Sequence, residues 1–376
     1  MRRFFFGVVA LMTTIVLSRE ADTARSQAVS RTGSQRAIDD RVSKALSEHG
    51  IPGMSVAVVE EDRVVYAKGF GTTSLVTIRR PSADTQYRLA SVSKPLTAVG
   101  VFRLVQDGAV KVDTPAREYC PELARLNGAP TVRHLLMHRS GMRHTTDSED
   151  VSIKGAFPRL GLALRKIAEE PLRFTPGTKT QYSSWGYAAL GCVIEGASGR
   201  SYADFMKARV FGPAGMNATT FDYPEYTSPT FSPGFRRGIL YGLRPSAVVD
   251  TRFKTPASGI ISTVNDLARF AIAIFERTVV NDAQVNEMFR IQPDAEGHAT
   301  FTAGWSTSSS GLSKATDDVV FDFNGSMEGS TAYLEVAPSR RYAFALLANK
   351  ERSVPEVVPI AADVRGLVLT PSSTRR

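Results

Sequence analysis

The sequence predicts an α+β fold: one antiparallel sheet flanked by helices and built from both ends of the chain, with a mainly helical lobe inserted between. Three observations carry this. A helical pattern followed by two strand patterns opens the folded region. Three strand patterns and an amphipathic helix close it. The long stretch between them reads as helices and loops, with no internal repeat. The sheet lobe is expected over residues 37–90 and 256–370 and the helical lobe over 91–255, with a cleft where they meet.

Before the fold come residues 1–24, read as a signal peptide or N-terminal anchor, and a small, polar linker over 25–36. Met1-Arg2-Arg3 precedes an apolar run from Phe4 to Leu17, too short to span a bilayer comfortably and of the length of a signal-peptide core. Ala21, Ala24 and Ala28 are candidate cleavage positions. Export to the periplasm or medium is therefore expected; a retained segment would instead attach the protein to a membrane. The paired arginines are only a weak twin-arginine signal. No later stretch is apolar enough for a transmembrane helix.

Composition narrows the function classes. In 376 residues, 43% hydrophobic and 22% charged content fits a soluble fold with a sizeable core, as one large domain or two moderate ones. The net charge of +9 is scattered, without basic runs or aromatic interleaving, so no nucleic-acid partner is expected. Cys120 and Cys192 are the only cysteines and are expected as two buried free thiols, although an oxidising compartment would permit a bridge. The five histidines have no zinc spacing, and neither metal nor cofactor is expected.

The elements follow in order. Ile38, Val42, Ala45 and Leu46 repeat at helical spacing until Gly50 and Pro52 stop the helix. Met54–Val59 and Val64–Gly69 read as strands of a hairpin around Glu60-Glu61-Asp62-Arg63. An apolar helix runs from about Leu96 to Val105, apolar on all sides and hence buried. A short helix over Thr131–His138, another over Leu160–Glu170 and a third over Tyr187–Ala197, ended by Gly199, fill the inserted lobe. Residues 217–255, rich in Pro, Gly, Tyr and Phe, read as irregular loops. Thr263 with Asp266 opens a helix to Phe275 as a capping box. Strands are expected at Val319–Phe323, Ala332–Val336 and Tyr342–Leu347, the last two joined through Pro338–Arg341, and a final helix at Glu356–Leu369.

The chemistry is expected at Tyr87-Arg88-Leu89-Ala90-Ser91-Val92-Ser93-Lys94-Pro95, just ahead of the buried helix. Three residues apart at a helix start, Ser91 and Lys94 share a face, and a desolvated amine can take the proton of a serine hydroxyl. The first turn also supplies backbone N–H groups and positive potential where an oxyanion would form. Taken alone, the same pattern also describes an N-capping serine beside a solvated lysine. His138 reads as a catalytic base or as a loop histidine bonding nearby backbone. Tyr182, on the loop before a buried helix, reads as a cleft residue or as an aromatic plug.

With these residues in view the chain resembles the serine β-lactamase-like family, which includes class C lactamases, D-alanyl-D-alanine carboxypeptidases, family esterases and the mitochondrial β-lactamase-like serine protease. The resemblance runs from about Ala37 to Val368. Arg88-Leu89-Ala90-Ser91-Val92-Ser93-Lys94 resembles the first family motif. Phe174-Thr175-Pro176-Gly177 leading to Tyr182-Ser183-Ser184 is similar to the second, Tyr-x-Asn, with Ser184 in place of the asparagine. Thr131–Met142, Ser258–Asp266 and Gly304-Trp305 are further similar stretches.

The resemblance implies that Ser91 is the nucleophile, Lys94 its proton partner and Tyr182 a general base, with the lysine cation favouring phenolate. Ser184 would bond the lysine or the substrate with fewer donors than an amide. The third motif falls on Phe323-Asn324-Gly325, followed by Ser326. There Gly325 would let the strand approach the ligand, and the Ser326 N–H would join that of Ser91 as an oxyanion donor. A strand ending in an Asn-Gly turn is the other reading of these residues. Phe323 stands where the family carries Lys or His, so carboxylate recognition is expected to be weak. The expected activity is acyl-enzyme hydrolysis of ester, amide or peptide bonds in a small-molecule or peptide substrate, with neutral esters favoured over β-lactams. The alternatives are a β-lactamase or D-alanyl-D-alanine carboxypeptidase, and a non-catalytic binding or sensor protein on the same fold. The sequence sets no oligomeric state.

Overall fold

The computed structural model describes residues 33–77, 79–155, 157–238, 242–307 and 319–369. The expected signal or anchor segment, and the linker up to residue 32, lie outside them. Helix α1 (33–49) buries Ile38, Val42 and Ala45 on one stripe. Strands β1 (Gly53–Glu60) and β2 (Arg63–Gly71) form the expected hairpin. Its turn is tighter than the four residues expected, because Glu61 and Asp62 both take left-handed φ, 49° and 62°.

Helix α2 (Ser93–Gln106) is buried on nearly every side, helix α3 (Ser184–Ser198) almost as completely, and α4 (Val264–Phe275) starts with Thr263 Oγ1 accepting the Asp266 N–H. The chain closes with β3 (Phe321–Met327), β4 (Ser330–Ala337), β5 (Tyr342–Ala348) and α5 (Val354–Leu369). All five strands make one antiparallel sheet in the order β2-β1-β5-β4-β3. The two chain ends meet where β1 pairs with β5, Met54 opposite Ala348, so the sheet is assembled from both ends as expected. Alternate residues of β1 and β5 face opposite ways. Val56, Val58, Phe344 and Leu346 pack with α1 and α5, whereas Ala57, Val59, Ala345 and Leu347 join the core formed with α2 and α4. That leaves β3 as an edge, beside the start of α2.

Several boundaries differ from expectation. Only Gly161–Leu164 of the 160–170 segment is α-helical. Leu160, Ala163, Leu164, Ile167 and Ala168 are all buried, and the Leu160 N–H is tied to the Glu195 carboxylate at 2.8 Å, so tertiary burial replaces a continuous helical ladder. Helix α3 starts three residues early, because Ser183 Oγ caps it by accepting the Gly186 N–H. The 217–255 region contains a two-stranded ribbon, Phe235–Arg237 with Leu243–Pro245. An unexpected helix at Asp282–Phe289 begins on an Asn281 cap.

The two cysteines are joined: Cys120 and Cys192 form a disulfide with their Cα atoms 5.5 Å apart, which overturns the free thiols expected. The bridge reflects close docking of the Cys120 loop on α3. A Cβ at Gly196 would lie 1.8 Å from the Tyr119 carbonyl oxygen, so only a glycine lets the loop sit there. Among the described residues no helix is long and apolar enough to cross a membrane.

Candidate active site

A single 3₁₀ turn, Ala90–Val92, carries Ser91 into the start of α2. Ala90 takes φ 47°, a left-handed conformation that costs a non-glycine residue free energy and marks a turn held by its surroundings. The edge strand is one of those surroundings. A Cβ on Gly325 would fall 2.3 Å from the Leu89 carbonyl oxygen and 2.9 Å from the Ser91 nitrogen. The glycine expected to admit a ligand thus admits the Ser91 turn itself.

Lys94 Nζ lies 3.2 Å from Ser91 Oγ and 3.3 Å from Ser184 Oγ, and donates to the Ala257 carbonyl at 2.9 Å. The side chain is 0% exposed, which excludes the solvated lysine. No carboxylate is among those partners. Burial, and then the nearby charge of Lys254, push the Lys94 pKa well below its usual value. Tyr182 Oη donates to Ser91 Oγ at 2.7 Å. Burial pushes its pKa up to about 12, against the opposing hydrogen bonds to Ser91 and Ser184. Tyr182 is therefore a neutral phenol near pH 7, not the phenolate expected. The expectation needed a lysine cation against the ring, and the same burial that favours the phenol favours an uncharged amine.

Two histidines hold the Tyr182 loop. His138 Nδ1 accepts the Ser183 N–H and His144 Nδ1 accepts the Ser184 N–H, each at 3.1 Å. Burial lowers both pKa values, that of His144 to about 4, so both imidazoles stay neutral acceptors. His138 is thus the loop histidine of the two readings, its ring 4.6 Å from that of Tyr182.

On β3, Phe323 is 4% exposed and lies 6.4 Å from the Tyr182 ring and 6.2 Å from that of Phe301. Asn324 is exposed and opposite Tyr333, Gly325 is opposite Ala332, and the turn comes later at Glu328-Gly329. The Asn-Gly turn reading is thereby excluded. Asp322 exchanges both backbone hydrogen bonds with Ser306 on the outer edge, at 3.0 and 2.8 Å. By ladder alternation, Asn324 and Ser326 also direct their N–H groups to that outer edge. The Ser326 hydroxyl accepts the Arg352 N–H at 3.0 Å.

Ser91, Ser184 and Ser326 line a cleft of about 630 Å³, together with His144, Asp150 and Lys254. Sequence reasoning missed the last three. A lysine just before Thr255-Pro256-Ala257 carries no local mark of its distance from Ser91, and only its burial in a fold singles it out.

A sheet built from both chain ends, with a helical lobe and Ser91 at their junction, is a serine hydrolase-type fold. The chain belongs to the Beta-lactamase family, whose model matches residues 38–367. Protein flp of Staphylococcus aureus (strain MW2) is 25% identical over 338 residues, 86% of this chain and 65% of that protein. Penicillin-binding protein 4* of Bacillus subtilis (strain 168) is 28% identical over 260 residues, 62% of this chain and 55% of the relative. The chain therefore matches only part of the length of these relatives. EstCE1, described as a hydrolase with promiscuous acyltransferase activity, shares the fold at TM-score 0.77 and 17% identity, over 91% of this chain and 100% of its own.

Proposed function

We propose that this protein is a serine hydrolase that works through an acyl-enzyme on ester, amide or peptide bonds and favours neutral esters over β-lactams. The observation that carries the reading is the convergence of a buried amine and a phenol on one hydroxyl, Lys94 Nζ at 3.2 Å and Tyr182 Oη at 2.7 Å from Ser91 Oγ. A neutral amine has two N–H donors and one lone pair. The Ala257 carbonyl can only accept, and Ser184 takes the second N–H, which leaves the lone pair for the Ser91 hydroxyl. As Ser91 Oγ bonds to the substrate carbonyl carbon, its proton passes to Lys94, and the N–H groups of Ser91 and Ser326 receive the oxyanion. Collapse breaks the bond to the leaving group, which takes a proton from the Lys94–Tyr182 pair. Water then adds to the acyl-enzyme with the same groups in reverse roles.

The preference for neutral esters rests on Phe323. A phenyl ring, packed against Tyr182 and Phe301, stands where the family resemblance expects a cation for a substrate carboxylate. Loss of one charged hydrogen bond corresponds to roughly ten- to a hundredfold in specificity. A fluorophosphonate is expected to label Ser91 and to leave Ser91→Ala, still folded, unlabelled. kcat/KM for an aryl butyrate is expected to exceed that for nitrocefin, and Phe323→His to shift the ratio toward nitrocefin. Labelling of the Ser91→Ala protein elsewhere, with turnover intact, would sink the assignment. The short apolar run after Arg2-Arg3 supports export; cytoplasmic protein with Met1 intact would contradict it.

A further inference from the structure

We propose that Lys254, anchored by Asp150, is a positioning residue for the Ser91–Lys94 couple: its ammonium, fixed in the cleft wall, reserves the Lys94 lone pair for Ser91. This rests on the roles just given to Ser91 and Lys94 and adds a residue that neither motif nor resemblance assigns.

The position of Lys254 is set by the segment that grips Lys94. Three residues after it comes Ala257, whose carbonyl accepts from Lys94 Nζ. The same short helix, Thr255–Ser258, is fastened to α2, where Thr97 Oγ1 donates to the Pro256 carbonyl at 2.7 Å. One residue before Lys254, buried Phe253 packs at a tilt against Trp185 of α3 with ring centroids 5.4 Å apart. Lys254 itself is 7% exposed. Its Nζ lies 5.3 Å from the Phe253 ring and forms an ion pair with Asp150. Asp150 belongs to the helix Asp147–Ser152, capped reciprocally by Thr146 and Glu149 and pinned through Glu149 to Arg143. A lysine held at both its backbone and its head is a fixed charge rather than a mobile one.

That charge faces the reaction. Lys254 shares the cleft with Ser91, Ser184 and His144. The ionisable groups around Lys94 are Tyr182 and Tyr187, whose rings lie 4.7 and 5.6 Å from its Nζ, the imidazoles of His138 and His144, and Lys254. The tyrosines and histidines are neutral near pH 7. Burial lowers the Lys254 pKa as well, but the paired Asp150 carboxylate opposes that and favours its ammonium. Lys254 is thus the cation of the set, and a fixed cation disfavours a second one beside it. Burial already disfavours the charged form of Lys94, with the Lys254 charge second to it. The fixed ammonium adds to that effect, and Asp150 bonds Lys254 rather than the amine.

The test measures the second-order rate at which a neutral fluorophosphonate labels Ser91, as a function of pH, in the full chain and in Lys254→Met and Lys254→Arg. The amine form of Lys94 is the active one, so the rate rises with pH through its pKa. Removing the like charge is expected to move that rising limb to higher pH by about one unit, so that labelling at a fixed pH on the limb falls about tenfold while the alkaline plateau stays within about twofold. The arginine variant is expected to keep the original midpoint. Lys254→Gln, with a polar head left for Asp150, replaces the methionine variant if that one melts early. A lowered plateau with an unmoved midpoint, a midpoint shifted to lower pH, an unchanged profile, or an arginine variant that behaves like methionine would each overturn the proposal. If Ser91 of the unmodified protein is not labelled at all, the hydrolase reading fails first. Labelling without a shift in Lys254→Met sinks this inference alone.

Discussion

Strand β3 separates two buried ionisable clusters that are built on opposite rules. On the face of Phe323 and Gly325, Lys94 lies among hydroxyls, a carbonyl and aromatic rings, with a like charge nearby. On the face of Asp322, Glu335 is equally buried but fully served. Arg365 Nη1 donates to it at 2.7 Å, and the Tyr333 and Tyr342 hydroxyls donate at 3.1 and 3.2 Å. Burial still raises the Glu335 pKa, and the Arg365 cation and hydrogen bonds oppose it. A buried ion that only has to be held is given a counter-ion and donors. A buried amine that is to exchange a proton, the role proposed above for Lys94, is denied a counter-ion, because a carboxylate beside it would keep it charged.

The most damaging way to break this contrast is Arg365→Met. It leaves the Glu335 carboxyl buried without its cation and is expected to cost about 3–5 kcal/mol in urea unfolding. Replacing Glu335 with Gln in the same chain should recover much of that loss. Neither change should move the pH midpoint of Ser91 labelling, since the cluster lies across the sheet. A cost below about 1 kcal/mol would mean that the tyrosine hydroxyls suffice alone.

Lys94→Met tests the other side. Activity is expected to fall by about a hundredfold or more, as for a lost general base. The melting temperature at pH 7 is expected not to fall, because the folded state no longer holds a buried amine that the unfolded chain would protonate. A marked loss of stability would show that Lys94 is a structural bridge between α2 and the Ala257 segment.

Asp322→Asn gives the smallest and most pH-specific effect. Burial, and then the Glu335 charge, raise the Asp322 pKa from 3.8 to about 7. Between those values the folded protein keeps a proton that the unfolded chain releases, so stability falls as pH rises through this window. The asparagine variant is expected to remove part of that slope, at most a few kcal/mol, when urea midpoints at pH 5 and pH 8 are compared. Identical slopes in both proteins would place the titration elsewhere.

What the sequence determined by itself is what short-range geometry determines. Ser91 and Lys94 meet because residues three apart on a helical turn must meet. Thr263 caps α4, Gly199 ends α3, and alternating apolar residues mark the strands, all through contacts within a few residues along the chain. The ordered motifs then pointed to the fold as a whole. What only the tertiary structure decided depends on partners brought from far along the chain. Tyr182 reaches Ser91 across 91 positions, the Ala257 carbonyl reaches Lys94 across 163, and Lys254 finds Asp150 across 104. Cys120 meets Cys192 across 72 because a glycine lets their segments touch. The protonation states were hidden for the same reason. A phenol held neutral and an amine kept from its proton are consequences of lost water and of which distant charges arrive, and neither is a property of the residues that carry them.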